Sequence, residues 1–284
     1  MFEDRTRLEF SSRGYVAVPL CEGNDLVCCA AAGPGGRPLR VMFDTGTDPS
    51  AVDAGLAQRL ALATGGSGLG VGAVSDAVPF TEAVLPWLRI GDLIIRDLFA
   101  PAVALGSAPF EVDVVLGYNV LRQVVLHIDY RRRMLTLAHP DIGAAQMSQS
   151  PLALPLVFFE HFPALSDVTI DGVPVALATL DTGSNAALTI GADLGELLGV
   201  QAGRASFQFA RGIGFGGGNT VLRGGGWPVR LGPIELANIE LDLPQTQHGD
   251  LGRAGRANIG NRLLARFAAI TLDYERQLLL IEQD

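Results

Sequence analysis

Two aspartates in matched surroundings are the residues of this chain best suited to chemistry. Asp44 opens Asp44-Thr45-Gly46-Thr47, and Asp181 opens Asp181-Thr182-Gly183-Ser184. Each acid ends an apolar run, Val41-Met42-Phe43 in one copy and Leu177-Ala178-Thr179-Leu180 in the other. Two carboxyls brought close together cannot both ionise, so they share one proton. The ionised member can take a proton from water while its partner donates to a carbonyl oxygen, as amide hydrolysis at moderate pH requires. The flanking residues have matching tasks. Gly46 and Gly183 give the backbone room to turn tightly beneath each acid. Thr45 and Thr182 offer short hydroxyls that can bond across to the opposite loop. Thr47 and Ser184 can hydrogen-bond the carboxylates, and the apolar strands limit water and so strengthen the coupling of the acids.

The elements that must carry these loops repeat as well. Leu88-Arg89-Ile90-Gly91 matches Val229-Arg230-Leu231-Gly232, and Val115-Leu116-Gly117 matches Asn258-Ile259-Gly260. Each copy then closes on an apolar strand with Asp-Tyr, Leu126–Tyr130 and Ile270–Tyr274. The offsets are 137, 141 and 143 residues at Asp44/Asp181, Gly91/Gly232 and Gly117/Gly260. So small a drift implies one ancestral unit, doubled, with a few loop insertions. A period this long gives two lobes and not a solenoid, whose repeats run roughly 20–50 residues. The division expected is 1–145 with the first Asp-Thr-Gly and 146–284 with the second, joined through the polar stretch His139–Pro151.

Between these landmarks the 35 glycines and 16 prolines punctuate short apolar runs, so the chain reads as mostly strand. Tyr15–Cys21 and Leu26–Ala32 read as a hairpin, and Leu39–Phe43 as the strand that delivers Asp44. Ala51–Ala63 and Ile190–Gly199 have helical spacing. Strands are expected at Pro79–Ile90, Leu93–Leu105, Asp113–Gly117, Val124–Tyr130, Arg133–Ala138, Leu156–Phe159, Ser166–Ile170 and Val175–Leu180.

Composition removes several classes of function. Hydrophobic residues at 48% against 18% charged mark a core-rich globular chain. A net charge of -9 argues against nucleic acid. No apolar run reaches the roughly 18–20 residues of a membrane span. The opening Met1–Arg7 has no apolar core, so no signal peptide is expected, which fits a cytoplasmic protein or a trimmed exported one. Cys21, Cys28 and Cys29 lack zinc spacing, and in the expected hairpin Cys21 faces Leu26 and Cys28 faces Pro19, which favours free thiols. His127, His139, His161 and His248 are scattered, with His127 in a strand, so neither a metal nor a cofactor is expected. Asp129 and Asp273 precede charged turns and read as turn caps. Gly212-x-Gly214-x-x-Gly217 matches a dinucleotide fingerprint but lacks the helix that should follow it. No Gly-x-Ser-x-Gly elbow is present.

Taken together, Asp44-Thr45-Gly46-Thr47, Asp181-Thr182-Gly183-Ser184 and the later glycine motifs at Gly117 and Gly260 resemble the aspartic protease superfamily, pepsin-like and retroviral-protease-like. The compact halves look more like two fused retroviral-type units than a pepsin. The resemblance implies a mainly β, bilobal acid-protease fold of two similar closed lobes with pseudo-two-fold symmetry. It implies an endopeptidase acting on peptide or protein substrates at a cleft between lobes, with Asp44 and Asp181 as the catalytic pair. It also implies a glycine beside each acid loop, at Gly117 and Gly260, and Asn258 departs from the apolar residue expected there. Mobile flaps are implied in the glycine-rich stretches with Gly68, Gly70 and Gly72 and with Gly212, Gly214 and Gly216, although neither has the pepsin flap tyrosine. Both half-sites lie in one chain, so a monomer is expected. The alternative is a protease-fold peptide-binding module without catalysis, but such proteins usually lose a residue from one triplet, and both are intact here. A two-carboxylate glycosidase would explain two acids but not two like loops.

Overall fold

In this computed structural model, residues 2–22, 26–73, 75–105, 111–147, 151–200, 207–214, 217–246, 248–249 and 256–283 are described. The chain is mainly β, and the strands among the described residues form three sheets. A nine-stranded sheet draws on Arg7–Leu116, and a ten-stranded sheet draws on Val157–Gly260. The third sheet has six strands and is built from both halves of the chain. At its centre Val125–Asp129 pairs antiparallel with Ala269–Asp273. Equivalent positions exchange about the His127–Thr271 pair, which carries a buried side-chain hydrogen bond of 2.8 Å. Burial of the His127 ring pushes its pKa down.

The two acid-bearing strands have the same neighbours. Pro38–Phe43 pairs parallel with Val114–Leu116, which pairs antiparallel with Ala51–Asp53. Leu177–Asp181 pairs parallel with Arg256–Gly260, which pairs antiparallel with Leu188–Ile190. Val114–Leu116 and Leu188–Ile190 are buried throughout, whereas Leu177–Asp181 and Arg256–Gly260 alternate half-buried and buried positions over most of their length. Val41, Phe43, Val114 and Leu116 share one apolar core with Leu180, Leu188 and Ile259.

Three sequence expectations need correction. Tyr15–Pro19 and Cys28–Ala32 are not hairpin partners. The first pairs with Met134–Ala138 in the six-stranded sheet, and the second pairs with Pro38–Phe43 in the nine-stranded one. The chain changes sheets between them, and Cys21 N–H donates to Cys28 O at 2.7 Å, so these two cysteines face each other. All three cysteines are free. The expected helix over Ala51–Ala63 is also shorter. Ala51–Asp53 is a strand beside Val114–Val115, and only Ala54–Arg59 is helical, started by the Asp53 carboxylate accepting Leu56 N–H at 2.9 Å. Ile190–Gly199 likewise divides, into the end of strand Leu188–Ile190 and helix Ala192–Leu197. The polar connection after His139 contains short 3-10 turns at Pro140–Ile142 and Ala144–Gln146. Among the described residues no helix is long and apolar enough to cross a membrane.

Candidate active site

The site begins with two carbonyls at the ends of buried strands. Thr45 Oγ1 donates to Leu180 O at 2.6 Å, and Thr182 Oγ1 donates to Phe43 O at 2.7 Å. The same hydroxyls accept backbone N–H groups, Thr45 Oγ1 from Thr182 at 3.1 Å and Thr182 Oγ1 from Thr45 at 3.2 Å. Four bonds thus cross between two loops 137 residues apart. Both threonines are buried, so each polar atom lacks solvent as an alternative partner.

This lock brings the acids together. Asp44 is only 4% exposed, and Asp181 is half-buried. Burial first, then the neighbouring Asp181 charge, pushes the Asp44 carboxyl up to about 8, against bonds from Thr47 and Gly46 that hold it down. Burial also raises Asp181, while Asn258, the hydrogen bond from Asp44 and the loop N–H groups pull it back. The neighbouring acid thus acts in opposite directions on the two, upward on Asp44 and downward on Asp181.

Both loops turn tightly at these glycines, Thr47 N–H donating to Asp44 O at 3.4 Å and Ser184 N–H to Asp181 O at 3.3 Å, and the glycines answer a second constraint as well. Neither Gly46 nor Gly183 has a left-handed φ. A Cβ on Gly183 would sit 2.3 Å from the Asp44 carboxyl carbon, and one on Gly46 would sit 2.9 Å from that of Asp181. Each glycine makes room for the acid of the opposite loop. Gly117 and Gly260 thread past the loops as closely, since a Cβ there would lie 2.3 Å from Thr47 O and 2.2 Å from Ala186 O. The next N–H in each motif bonds back to the acid loop, Tyr118 to Thr47 O at 2.9 Å and Asn261 to Ser184 O at 2.7 Å.

The carboxylate oxygens are held unequally. Gly46 N–H donates to Asp44 Oδ1 at 2.8 Å, and Gly183 N–H donates to Asp181 Oδ1 at 3.0 Å. Thr47 Oγ1 donates to Asp44 Oδ2 at 2.6 Å. The hydroxyl of Ser184 does not repeat this role. It accepts Ala186 N–H at 3.3 Å, and the bond to Asp181 Oδ2 comes from Asn258 Nδ2 at 2.7 Å. Sequence reading passed over Asn258 as a departure from an apolar motif. The signal available was the departure itself, a polar residue two before the glycine on a strand beside an acid. Ser50 was also missed. Its buried hydroxyl donates to Asn119 Oδ1 at 2.6 Å and accepts Gly117 N–H at 3.0 Å, tying the glycine motif to the segment after the first acid loop.

One glycine-rich hairpin lies between each acid loop and its later glycine. Gly68 and Gly70 are in Ala63–Gly70, paired with Val78–Ile90, and Gly72 N–H closes the turn on Ser75 O at 2.8 Å. Leu69 and Val71 are exposed there. Asp76 accepts from Gly249 N–H at 2.7 Å and pairs with His248 at 2.7 Å, which joins this hairpin to the other half of the chain. Gly212 and Gly214 are in Phe207–Gly214, paired with Gly217–Leu231, so the fingerprint-like glycines form a hairpin, while Gly216 lies outside the described residues. His161 pairs with Asp48, just beyond the first acid loop, and stacks on Tyr118 with ring centroids 4.3 Å apart. Asp129 and Asp273 cap their turns through the N–H groups of Arg132 and Arg276 at 2.7 and 3.0 Å.

Residues 31–120, which contain the first acid loop and Gly117, match the family model described as aspartyl protease. Over these residues the chain is similar to aspartyl proteases. The match reaches the first Asp-Thr-Gly and stops short of the second. No curated protein matches the chain. This similarity supports a protease-type, hydrolytic function.

Proposed function

We propose that this protein is an aspartic endopeptidase in which Asp44 and Asp181 form a single catalytic pair. The observation that carries the reading is the reciprocal lock of Thr45 and Thr182, which places each loop glycine against the carboxyl of the other loop. A buried pair of this kind shares one proton over the pH range between its two ionisations.

The chemistry follows from that proton. The ionised acid takes a proton from a water molecule held between the two carboxyls. The water oxygen bonds to the carbonyl carbon of the peptide, and the protonated acid gives its proton to the carbonyl oxygen. The tetrahedral diol collapses as the first acid passes the water proton to the amide nitrogen. The C–N bond breaks, a diol hydroxyl returns a proton to the second acid, and the pair is restored. Thr47, Asn258 and the N–H groups of Gly46 and Gly183 hold the carboxyls in register. The two glycine-rich hairpins, with exposed Leu69 on one and Phe209 on the other, serve as the cover of the cleft.

On this reading 1–145 and 146–284 are duplicated retroviral-type units fused in one chain, and the active species is a monomer. Incubation with a diverse peptide library across roughly pH 3–8, read by mass spectrometry, should give internal cleavage with a bell-shaped pH dependence. Absence of cleavage at every pH would contradict the reading. Specific activity should persist on dilution, and its collapse would mean that the site forms between chains.

A further inference from the structure

Asp44 and Asp181 have like loops but unlike outer donors. Thr47, three residues along the same loop, serves Asp44 Oδ2. Asn258, on the separate strand Arg256–Gly260, serves Asp181 Oδ2. We propose that Asn258 is a positioning residue that makes the pair unequal, holding Asp181 as the carboxylate that accepts the water proton and leaving the shared proton on Asp44. The inference rests on the endopeptidase reading above.

The chemistry of the donors carries it. A hydroxyl can donate or accept, so Thr47 can serve Asp44 whether or not that oxygen bears a proton. An amide nitrogen only donates, so the oxygen facing Asn258 Nδ2 must offer a lone pair. The amide is oriented by its neighbour, because Thr179 Oγ1 donates to Asn258 Oδ1 at 2.8 Å and turns the nitrogen toward Asp181. The other oxygen of Asp181 accepts Gly183 N–H, so both of its oxygens face nitrogen donors. Bonds to the charged form of an acid favour that form.

The first half lacks this device. Asn258 and Thr179 are register partners in the parallel pair beside Asp181. The corresponding partners beside Asp44 are Val115 and Met42, both buried and apolar. The remaining groups near the pair do not reproduce the asymmetry. The buried Tyr274 hydroxyl senses the Asp44 charge and is pushed up, by burial first, so it stays neutral. Asp48 is engaged by His161, and the Arg256 guanidinium lies over the Phe159 ring, 3.6 Å from its centroid.

The test is a carboxyl-carbon NMR titration of the full chain labelled at aspartate, run beside the pH profile of kcat/KM. Asn258→Val combined with Thr179→Met rebuilds in the second half the apolar pair that already packs in the first. Asn258→Leu keeps the size and removes the donor without adding a charge. In both, the lower ionisation of the acid pair should move up by about one pH unit, because a charge-assisted bond to the carboxylate is lost. The acidic limb of kcat/KM should move with it, with KM little changed, a pattern that mere structural damage would not give. Ionisations and acidic limb within about 0.2 unit of wild type in both variants would overturn the proposal. Failure of the endopeptidase reading would look different: cleavage would survive Asp44→Asn and Asp181→Asn, while the titration would still report on Asn258.

Discussion

The two acid loops differ less in backbone than in what surrounds their outer oxygens. Each acid accepts the N–H of its loop glycine, each threonine crosses to the opposite strand, and each loop is passed at close range by a later glycine. Around Asp44 the support is local, from Thr47, and the strands behind it are apolar. Around Asp181 it comes from a neighbouring strand through Asn258 and Thr179. Two similar loops can therefore form a balanced scaffold while the two acids keep different roles. The features needed to assemble the pair match between halves, and those that distribute a proton within it do not.

The sharpest way to break the comparison is at the loop glycines. Gly183→Ala drives a methyl into the Asp44 carboxyl at 2.3 Å, whereas Gly46→Ala meets Asp181 at 2.9 Å. The first should lower kcat/KM by on the order of 100-fold, and the second by several-fold less, since a displacement of about 1 Å at a reacting group costs that much. Equal losses would mean that the closer approach has no consequence.

The threonine lock should be symmetrical. Thr45→Val and Thr182→Val keep volume but leave a buried N–H and a buried carbonyl without partners. Each should cost about 2–4 kcal/mol of unfolding free energy in denaturant titrations, at roughly 1–3 kcal/mol per orphaned group. A large difference between the two would show that the halves do not share the lock equally.

The pH dependence of stability should be dominated by Asp44. Its folded pKa is raised from an ordinary 3.8 to about 8, so its contribution is full below the unfolded value and is lost as pH rises toward the folded one. Stability should therefore decline between those values, and Asp44→Asn should flatten that decline. Denaturant unfolding across the range checks both slopes. The smallest effect is expected at Ser184→Ala, within about 1 kcal/mol, because that hydroxyl accepts only a 3.3 Å N–H bond. Thr47→Val, which removes the 2.6 Å bond to Asp44, should alter the pH profile more.

Much of this was legible in the sequence, for physical reasons that vary from residue to residue. The acid loops showed because Asp, Thr and Gly each answer a constraint no other residue meets as well, and the constraint occurs twice. The strand before Asp44 showed through the apolar run Val41–Phe43, and the one before Asp181 through a similar run that Thr179 interrupts. Tyr15–Pro19 was misassigned because its pairing with Met134–Ala138 spans more than a hundred residues and leaves no local mark. The helix after the first loop was drawn too long because Ala51 and Val52 suit a short buried strand and a helix equally well. Ser184 was given the role of Thr47 by analogy of position. The donor to Asp181 came instead from Asn258, whose partnership depends on the parallel register of two strands far apart in sequence.

The central claim is that Asp44 and Asp181 act as one pair, each with a task the other cannot take over. The most direct measurement is the cleavage rate of a library-derived peptide by wild type, Asp44→Asn and Asp181→Asn at the same folded concentration. Each substitution keeps side-chain size and removes one half of the shared-proton site. The account predicts that both variants stay folded and that each loses at least about a thousandfold in rate, as expected when residues act as a unit. Cleavage by both variants at the wild-type rate would contradict it.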